Sequence, residues 1–524
     1  MDAIIIMGVF FLLLAVGLPV AYTLGLTSMF GAIYFTGGDM SYMTTIMLKM
    51  GDGVNKFSLL AIPFFVLAGA IMAEGGIATR LINFASIFVG FIRGGLSLVN
   101  ILASTFFGAI SGSSVADTAS IGSVMIPQME KHGYPREYAA AVTASGSVQA
   151  ILIPPSHNAV IYSLYVSGAS IPALFLAGVL PGLALCITLM AMCVFFALKR
   201  NYPKGEMLTV KQAVKQMLDA VPGLFTVVII LGGILSGIYT ATESAAVACI
   251  WAFFVTMFIY RDYKWHQLPT LVHRTVKTVT IVMILIGFAA AFGQVLTILS
   301  IPAHISAFFT GLSNNPIMIL LAINVLLLIL GTLMDMAPLI MIMAPILYPV
   351  VAPLGVHPVH FGMIMMVNLG IGLITPPVGS VLFVASAVSG RKMEQVTKAM
   401  MPFFGALFAV LLLVTYVPQL SLWLPTVLGE VNAPPVAVDD IGKTAKGQAI
   451  KIPALKNDTD NENNPMMLED ATLQSGEGTV DFDPEGNVTF TPAPNFTGTA
   501  VLQYKVTDFL GGTTPGKITI TVTP

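Results

Sequence analysis

The chain has 524 residues, of which 56% are hydrophobic and only 10% are charged, whereas about a quarter of the residues in typical soluble domains are charged. With a mean hydropathy of +0.87, this composition predicts a protein that lies mostly in lipid. The formal net charge of −2 and the lack of any basic stretch interleaved with aromatic residues exclude nucleic acid as a partner.

The first apolar stretch, residues 3–18, has no basic region before it and no small-residue cleavage site after it. We therefore interpret it as a membrane helix and not as a signal peptide. It pairs with a second apolar stretch up to residue 36, with a hinge near Pro19. Further runs long enough to cross about 30 Å of hydrocarbon lie at roughly 57–75, 137–168, 173–198, 220–238, 241–260, 279–298, 359–389 and 403–424.

Two other regions, 94–131 and 316–352, each contain two short apolar arms around a polar or proline-bearing tip. The tips are Ser111-Gly112-Ser113-Ser114 and Met334-Asp335-Met336-Ala337-Pro338. Because each arm is too short to cross a bilayer alone, both regions are predicted to be re-entrant helical hairpins.

Composition changes sharply near Gly429, where apolar runs give way to a polar, alternating sequence rich in Asn, Asp, Thr, Pro and Gly. Residues 1–428 are therefore predicted to form a transmembrane domain. Residues 429–524 are predicted to form a small extramembrane domain of short strands.

Basic residues are concentrated in alternate connections between the predicted spans. They are Arg80, Arg93, Lys131, Arg136 and those within 199–215, 261–277 and 391–392. Since cytoplasmic loops hold the excess of positive charge, these connections are predicted to be cytoplasmic. The N-terminus and the tail after Gly429 are then outside, and the first hairpin opens to the cytoplasm while the second opens outward.

These opposite orientations predict an inverted repeat, with copies at about 57–198 and about 279–424. Four residue pairs are separated by 222 positions: Pro127/Pro349, Gly133/Gly355, Pro154/Pro376 and Pro155/Pro377. The same offset superposes the hairpins and brings an amphipathic segment near 77–92 onto one near 302–313. The predicted fold is an all-α polytopic membrane protein with inverted repeats, two re-entrant hairpins and broken helices, followed by a small β-sandwich. Secondary transporters are typically built in this way, with the substrate site where the breaks meet.

Two breaks in the apolar runs occupy equivalent places in the repeats. One is Ser145-Gly146-Ser147 with Ile153-Pro154-Pro155-Ser156-His157-Asn158, and the other is Asn368-Leu369-Gly370 with Thr375-Pro376-Pro377-Val378-Gly379. Proline removes an amide donor and glycine lets the chain turn, so each break exposes carbonyl oxygens. Several neutral oxygens are what a sodium ion requires. Proline kinks that only shape helices are the structural alternative.

Two sodium sites are predicted by placing each hairpin tip opposite a break. The first comprises Ser111, Gly112, Ser114, Gly146, Ser147 and Pro154. The second comprises Gly331, Thr332, Met336, Asn368, Gly370 and Thr375. Both assignments rest on the symmetry of the repeat.

Three acids, Asp117, Asp335 and Glu243, lie in apolar surroundings, where a carboxylate needs a wet cavity or a partner. Asp117 follows Ser113 by four residues on the same helix face, and we expect it to meet substrate hydroxyl or ammonium groups or to relay a proton. A helix cap or a structural ion pair is the alternative for each acid, most of all for Glu243. His157 and Asn158 lie at a predicted helix N-terminus, where the dipole favours an anionic group; a structural role is the alternative for His157.

The sequence has no P-loop spacing of glycine and lysine and no Cys/His cluster with metal spacing, so we predict neither an enzyme nor an ATP-driven pump. Its cysteines, Cys186, Cys193 and Cys249, lie inside apolar runs and are expected to be small core hydrophobes. An ion gradient is then the energy source. One charge crossing about 100 mV provides about 2.3 kcal/mol and thousandfold accumulation costs roughly 4.1 kcal/mol, so two sodium ions would suffice.

Four motifs in order resemble the large membrane subunit, the DctM-type permease, of tripartite ATP-independent periplasmic (TRAP) transporters. They are Ser111-Gly112-Ser113-Ser114-Val115-Ala116-Asp117, Ile153-Pro154-Pro155-Ser156, residues 237–246, and Ile374-Thr375-Pro376-Pro377. The resemblance covers about residues 1–428. It implies an elevator-type, sodium-coupled importer of organic acids, such as C4-dicarboxylates or sialic acids, in the bacterial inner membrane.

The same resemblance implies two protein partners, a small four-helix membrane subunit and a periplasmic binding protein that delivers the solute. It also implies solute contacts at Ser113, Asp117, Ser156 and Asn158.

The tail is similar to cadherin-like, immunoglobulin-type repeats of bacterial surface proteins. The similar segments are Asn432-Ala433-Pro434-Pro435-Val436-Ala437-Val438-Asp439-Asp440, Leu455-Lys456-Asn457-Asp458-Thr459-Asp460 and Val501-Leu502-Gln503-Tyr504-Lys505-Val506-Thr507-Asp508. Short alternating strands with turn residues predict an antiparallel sandwich of about 90 residues. Asp458, Asp460 and Asp508 are candidate Ca²⁺ ligands, with solvated turn acids as the favoured alternative.

Two other interpretations remain open. A stand-alone sodium/carboxylate symporter would take its solute directly from the periplasm without a binding protein. An ion channel or a non-transporting membrane scaffold would use the breaks only as kinks, and its β-domain would be the functional part.

Overall fold

The computed structural model describes residues 2–36, 40–205, 207–312, 315–432, 435–460, 465–483, 485–508 and 513–524. The chain separates into two compact units, Met1–Leu424 and Pro425–Pro524. The first unit is helical and the second is built mainly of strands.

The helices follow the apolar runs of the sequence. The α-helices, numbered α1 to α20 in chain order, are Asp2–Ala15, Val20–Thr36, Met40–Val54, Ala61–Glu74, Ile77–Val89, Gly95–Ser111, Ser114–Lys131, Arg136–Ser147, His157–Tyr165, Ile171–Lys199, Val210–Leu235, Ala241–Phe254, Leu268–Ile298, Ile301–Leu312, Pro316–Gly331, Met336–Val351, Pro358–Gly372, Ser380–Ser389, Met393–Tyr416 and Gln419–Val427. A 3-10 helix, Val148–Ile151, continues α8, and a π-helical segment, Val255–Tyr260, continues α12.

Seven helical segments in the described ranges are long and apolar enough to cross a membrane. They are Phe57–Glu74, Ile171–Lys199, Val210–Leu235, Ala241–Tyr260, Trp265–Ile298, Met336–Leu354 and Met393–Tyr416. Six of them overlap predicted spans, and Met336–Leu354 lies in the region predicted to be the second hairpin. The chain is therefore a multi-pass membrane protein.

Several boundaries differ from those predicted. Helices α11 and α13 begin about ten residues before the predicted spans, because backbone hydrogen bonds continue a helix through polar turns beyond an apolar run. Helix α3 was not predicted at all, since Lys49 and Asp52 make its segment too polar to be recognised as a span.

Both regions predicted to be hairpins are pairs of helices joined by short tips. Helices α6 and α7 flank Gly112 and Ser113, which we call the first tip, and α15 and α16 flank 332–335, the second tip. Each of the runs 137–168 and 359–389 is divided into two helices, α8 with α9 and α17 with α18. We call residues 152–156 the first break and 373–379 the second break.

The order of helices recurs along the first unit. Three pairs of helices begin 222 residues apart: α7 and α16, α8 and α17, and α10 and α19. Helix α7 of the first copy packs against α18 of the second, while α16 of the second copy packs against α9 of the first. The two copies are therefore interleaved, and this brings both tips and both breaks to one place.

The second unit is a two-sheet structure. Its strands β1 to β7 are Asp440–Ala445, Ile450–Pro453, Met467–Ser475, Gly478–Phe482, Asn487–Pro492, Gly498–Thr507 and Thr513–Thr523. One sheet has the order β1-β7-β6-β3 and the other β2-β5-β4. Alternate residues of β6 and β7, such as Leu502, Tyr504 and Ile520, are fully buried between the sheets, as expected for strands with one face on the core.

The prediction of a purely antiparallel sandwich was wrong at one pair of strands. Strand β1 pairs with β7 in parallel, with Asp440 opposite Ile518, whereas the other pairs are antiparallel. A parallel pair needs a long crossover connection, and the five intervening strands provide it.

We predict that Gly516→Ala destabilises the strand domain by about 1–3 kcal/mol, the usual range for overpacking. A Cβ on Gly516 would lie 2.1 Å from Cζ of the buried Tyr504 ring. A thermal melt of residues 425–524 by circular dichroism measures the effect. Lys517→Ala, at an exposed neighbour, is the control, and an unchanged melting temperature for Gly516→Ala would contradict the packing described.

Candidate functional site

The first tip fits against the first break through a glycine. Gly112 has φ +59°, in the left-handed region that glycine adopts without strain. A Cβ at this position would lie 2.2 Å from the Pro155 carbonyl oxygen. Glycine is therefore required both by the turn and by the close approach of the two backbones.

Two serines complete the first tip. Ser113 is the N-cap of α7, and its hydroxyl accepts a hydrogen bond from the Ala116 amide at 3.4 Å, as expected for serine in this position. The Ser114 hydroxyl donates to the Ser147 carbonyl at 2.6 Å. The first residue of α7, next to the first tip, is thus hydrogen-bonded to the end of α8.

The first break is a buried, non-helical segment. Its prolines, Pro154 and Pro155, are joined by a cis peptide bond and have no amide hydrogens to continue a helix. Ser156 precedes α9 as its N-cap residue, is 1% exposed, and has a hydroxyl without a hydrogen-bond partner. Helix α9 then begins at His157.

The second tip and the second break meet in a similar way. The Val378 amide donates to the Thr332 carbonyl at 3.1 Å. Gly331 and Gly372 are also in close contact, since a Cβ on Gly372 would lie 2.7 Å from the Gly331 Cα. The backbone of each break is therefore packed against the tip of its own copy.

All four segments converge on one cavity of about 50 Å³. The first copy contributes Ser113, Ser114, Val115, Ile151, His157 and Asn158. The second copy contributes Asp335, Met336, Ala337 and Leu373. Three helices, α7, α9 and α16, point their N-terminal ends into this space, because their first two residues line it.

Polar groups of both copies meet in this cavity. Asp335, the N-cap residue of α16, accepts a hydrogen bond from the Ser380 hydroxyl at 3.2 Å. The His157 ring lies near the Gly112 carbonyl and Asp335. Asn158 is 3% exposed, and its amide oxygen has no hydrogen-bond partner. Asp335 carries the only formal charge among the described residues that line the cavity.

Of the predicted solute contacts, Ser113, His157 and Asn158 line the cavity and Ser156 is adjacent to it, but Asp117 does not line it. Asp117 is fully buried near Ser104 of α6, and neither carboxylate oxygen makes a hydrogen bond of good geometry. Ser113 is the N-cap residue of α7 and has an extended backbone, so the helical spacing that puts i and i+4 on one face does not apply between it and Asp117.

The predicted first sodium site is assembled only in part. Ser111 is buried and its hydroxyl lacks a partner, while the Ser147 hydroxyl donates to the Ala144 carbonyl at 2.9 Å. Gly146 packs against Ile101, since a Cβ on Gly146 would lie 2.9 Å from the Ile101 Cδ1. Pro154 is buried in the first break.

The predicted second sodium site differs more from its expected arrangement. The Asn368 amide donates to Asn324 of α15, at 2.8 Å to its side-chain oxygen, and not to the second tip. Gly370 packs against Ile151 of the first copy, and the Thr375 hydroxyl donates to the Ile371 carbonyl at 2.7 Å. Met336 lines the cavity. Gly331 packs against Gly372, and the Thr332 carbonyl accepts from the Val378 amide. Their contacts are therefore with residues other than the predicted Asn368, Gly370 and Thr375.

Two sequence-predicted acids outside these sites have structural explanations. Glu243 forms a capping box with Thr240 at the start of α12, with its carboxylate 2.8 Å from the Thr240 amide, which is the predicted alternative. In the tail, Asp458 accepts hydrogen bonds from the Val438 amide at 2.7 Å and the Tyr504 hydroxyl at 3.0 Å. Burial raises the pKa of Asp458, and these hydrogen bonds oppose that rise.

The three candidate calcium ligands, Asp458, Asp460 and Asp508, are buried. In the part of the chain that the structure describes, no group of three or more His, Cys, Asp or Glu side chains is placed to hold a metal ion. Calcium binding in the tail stays a prediction.

Asp335 is the residue whose role sequence analysis left undecided. It was recognised as an acid in apolar surroundings, but it was not assigned to the solute site. A signal existed, because Ser113 and Asp335 are 222 residues apart and are the N-cap residues of the equivalent helices α7 and α16.

The first unit is that of a multi-pass helical membrane protein in which two tips and two breaks meet at one polar cavity. Residues 7–420 match the family described as "Tripartite ATP-independent periplasmic transporter, DctM component", and residues 432–521 match "Bacterial Ig domain". The chain belongs to the DctM family of TRAP transporter large permeases and carries a bacterial Ig domain at its C-terminal end. The resemblance found in the sequence motifs is confirmed.

Relatives match along most of the chain. It is 42% identical over 423 residues to the uncharacterised protein YgiK of Salmonella typhimurium, covering 81% of this chain and 97% of that one. It is 42% identical over 385 residues to the C4-dicarboxylate TRAP transporter large permease protein DctM of Pseudomonas aeruginosa, covering 74% and 90%. It is 38% identical over 413 residues to the sialic acid TRAP transporter large permease protein SiaM of Vibrio cholerae, covering 79% and 96%.

We expect Gly112→Ala to destabilise the first tip by about 1–3 kcal/mol, since the added methyl would displace the Pro155 carbonyl. The melting temperature of the detergent-purified protein measures this effect. Gly405→Ala on α19 is the matched control, because nothing lies within 4 Å of a Cβ there. Equal melting temperatures for the two variants would show that the tip does not pack on the break.

Proposed function

We propose that this chain imports a small organic acid, of the C4-dicarboxylate or sialic acid class, across the bacterial inner membrane with sodium as the coupling ion. Membership in the family implies two partners, and we propose both: a small membrane subunit of four helices and a periplasmic binding protein that delivers the acid. The names of the relatives from Pseudomonas aeruginosa and Vibrio cholerae support this substrate class.

The observation that carries the proposal is the meeting of three helix N-termini at one cavity. The first amides of α7, α9 and α16 lack helical acceptors, and each N-terminus is equivalent to roughly half a positive charge. Anions bind readily at such ends. An acid can therefore be held here without a lysine or arginine, and neither residue lines the cavity in the described ranges.

Sodium coupling is supported by buried oxygens without hydrogen-bond partners around the first tip and break. They are the side-chain oxygens of Ser104, Ser111, Ser145 and Gln149. In the second copy, the Asn368 oxygen is likewise unpartnered and fully buried. Buried polar atoms normally have partners, and neutral oxygens suit a hard cation. We propose that sodium ions are held beside the tips by some of these atoms.

We propose that four residues contact the acid: Ser113, Ser156, His157 and Asn158. Ser113, His157 and Asn158 line the cavity, and Ser156 directly precedes His157 at the end of the first break. Asp117 is proposed to act indirectly, through its neighbour Ser104 on α6, and not by contact with the acid. Its buried carboxylate is costly without a partner, which supports a role tied to ion or proton binding.

The membrane arrangement is also a proposal. The helix order that recurs at 222 residues and the interleaved packing support an inverted repeat with re-entrant hairpins, in which the hairpins and broken helices move together as an elevator. The positive charge of alternate connections supports a periplasmic N-terminus and Ig domain.

Uptake into proteoliposomes tests the function. The full chain is reconstituted with the small subunit and the binding protein, and radiolabelled acids are supplied with an inward sodium or potassium gradient. We expect uptake only with sodium, and a loss of at least about tenfold in Asn158→Ala, the usual scale for a lost polar contact to a charged ligand. The control is Asn83→Ala, at an exposed position of α5.

Three results would contradict parts of this proposal. Equal uptake in a potassium gradient would show that sodium is not the coupling ion. Uptake without the binding protein would favour the stand-alone symporter. No uptake of any organic acid with all partners present would remove the transport proposal.

Cysteine labelling tests the inverted repeat. Lys131, the last residue of α7, and Pro353, which follows α16, are exposed and 222 residues apart. In a chain with Cys186, Cys193 and Cys249 replaced by alanine, we expect a membrane-impermeant maleimide to label Pro353→Cys in intact spheroplasts. Lys131→Cys should react only after permeabilisation, and labelling of both from one side would rule out opposite orientations.

A further inference from the structure

We propose that Asp335 selects acids that carry a hydrogen-bond donor, a hydroxyl or an ammonium group, on the carbon beside a carboxylate. Acids of the same length without that donor are disfavoured. This inference rests on the proposed function and specifies its substrate class further.

Asp335 presents unused acceptor capacity to the cavity. A carboxylate has about four lone-pair sites, and the Ser380 hydroxyl is the hydrogen-bond donor recorded for Asp335. Among the described residues, no lysine or arginine forms an ion pair with it, and His157 is the titratable group near it. Asp335 is exposed, and its carboxylate lines the cavity without a lysine or arginine among the described lining residues to compensate its charge.

An acceptor at this place has opposite effects on two kinds of acid. A plain carboxylate drawn to the helix N-termini is repelled by the Asp335 charge. A hydroxyl or ammonium group on the carbon beside the ligand carboxylate offsets this repulsion, because it donates a charge-assisted hydrogen bond to Asp335. Because Asp335 lines the same small cavity as the first residues of α7 and α9, the donor must lie close to the carboxylate that those two N-termini attract.

Asn158 provides an independent indication that the ligand donates hydrogen bonds. Asn158 lies on α9 and lines the cavity. Its side-chain oxygen is buried and has no hydrogen-bond partner. An unpartnered buried acceptor is rare in folded proteins. Two acceptors from different copies thus face one cavity of about 50 Å³.

The N-cap residues of α7 and α16 differ between the two copies, and this difference favours one orientation of the bound acid. Ser113 caps α7 with a neutral hydroxyl, whereas its equivalent, Asp335, occupies the N-cap position of α16 with a carboxylate that makes no capping hydrogen bond. The carboxylate is therefore favoured at the ends of α7 and α9, and the donor group is favoured at the end of α16.

Thermal stabilisation of the purified full chain with its small subunit tests the inference. Two matched series are titrated in sodium chloride: succinate, L-malate and L-aspartate, and propionate, L-lactate and L-alanine. Within at least one series we expect the hydroxy or amino acid to give half-maximal stabilisation at a concentration about ten- to a hundredfold lower than the plain acid, the range for a hydrogen bond to a charged group. The two substituted acids of each series separate hydroxyl from ammonium recognition.

Two variants separate selection from folding. Asp335→Asn keeps the shape of the side chain, and Asp335→Ala removes its acceptors. Both are expected to weaken binding of the substituted acids and to strengthen binding of succinate or propionate. Loss of structure would weaken binding of all the acids and would not produce these opposite changes. Asp52→Asn, an exposed acid 3.6 Å from Lys49 on α3, is the control that leaves the preference unchanged.

The outcomes are distinguishable. Equal binding within both series, or an unchanged preference in both Asp335 variants, overturns this inference alone. Equal weakening of all acids together with a higher sodium requirement would assign Asp335 to a cation and also overturn it. If no acid of either series stabilises the protein, the proposed function fails as well.

Discussion

The structure of the membrane unit depends on how it satisfies backbone groups that are not helical. In hydrocarbon an unpaired peptide group costs several kcal/mol, so each break must be covered by protein. The first tip covers the first break where Gly112 meets the Pro155 carbonyl, and the Thr332 carbonyl accepts the Val378 amide of the second break. These contacts place the tips beside the breaks, and the interleaving of the copies then forms one cavity instead of two.

Much of this architecture could be predicted because its signals are local. Paired prolines and glycines indicate breaks wherever they occur in an apolar run, and short apolar arms around a polar tip indicate helix pairs. Helix α3 and the early starts of α11 and α13 were missed, since span prediction measures hydrophobicity while a helix needs only backbone bonds. The parallel pairing of β1 with β7 depends on contacts between distant segments, to which local alternation is insensitive.

The site was predictable where a residue's position follows from chain geometry alone. His157 and Asn158 begin a helix after a break, so their place at the cavity follows from the break itself. The orientations of Asp117, Asn368 and Gly370 depend on which neighbour each helix face meets, and here α6, α15 and the 3-10 helix of the first copy meet them. Asp335 was recognisable only through its equivalence to Ser113.

The cavity combines three helix N-termini with a single acid, and on the proposed function this combination suits a carrier that must release its solute. A buried arginine would hold a carboxylate by a strong pair whose separation leaves an uncompensated charge in the membrane. Helix N-termini spread about the same positive charge over several amides and cost little when the ligand leaves. On the proposed role of Asp335, its charge would weaken the attraction further for any acid without a donor. Affinity would thereby be kept moderate, while selectivity would come from a hydrogen bond that forms only with the correct solute.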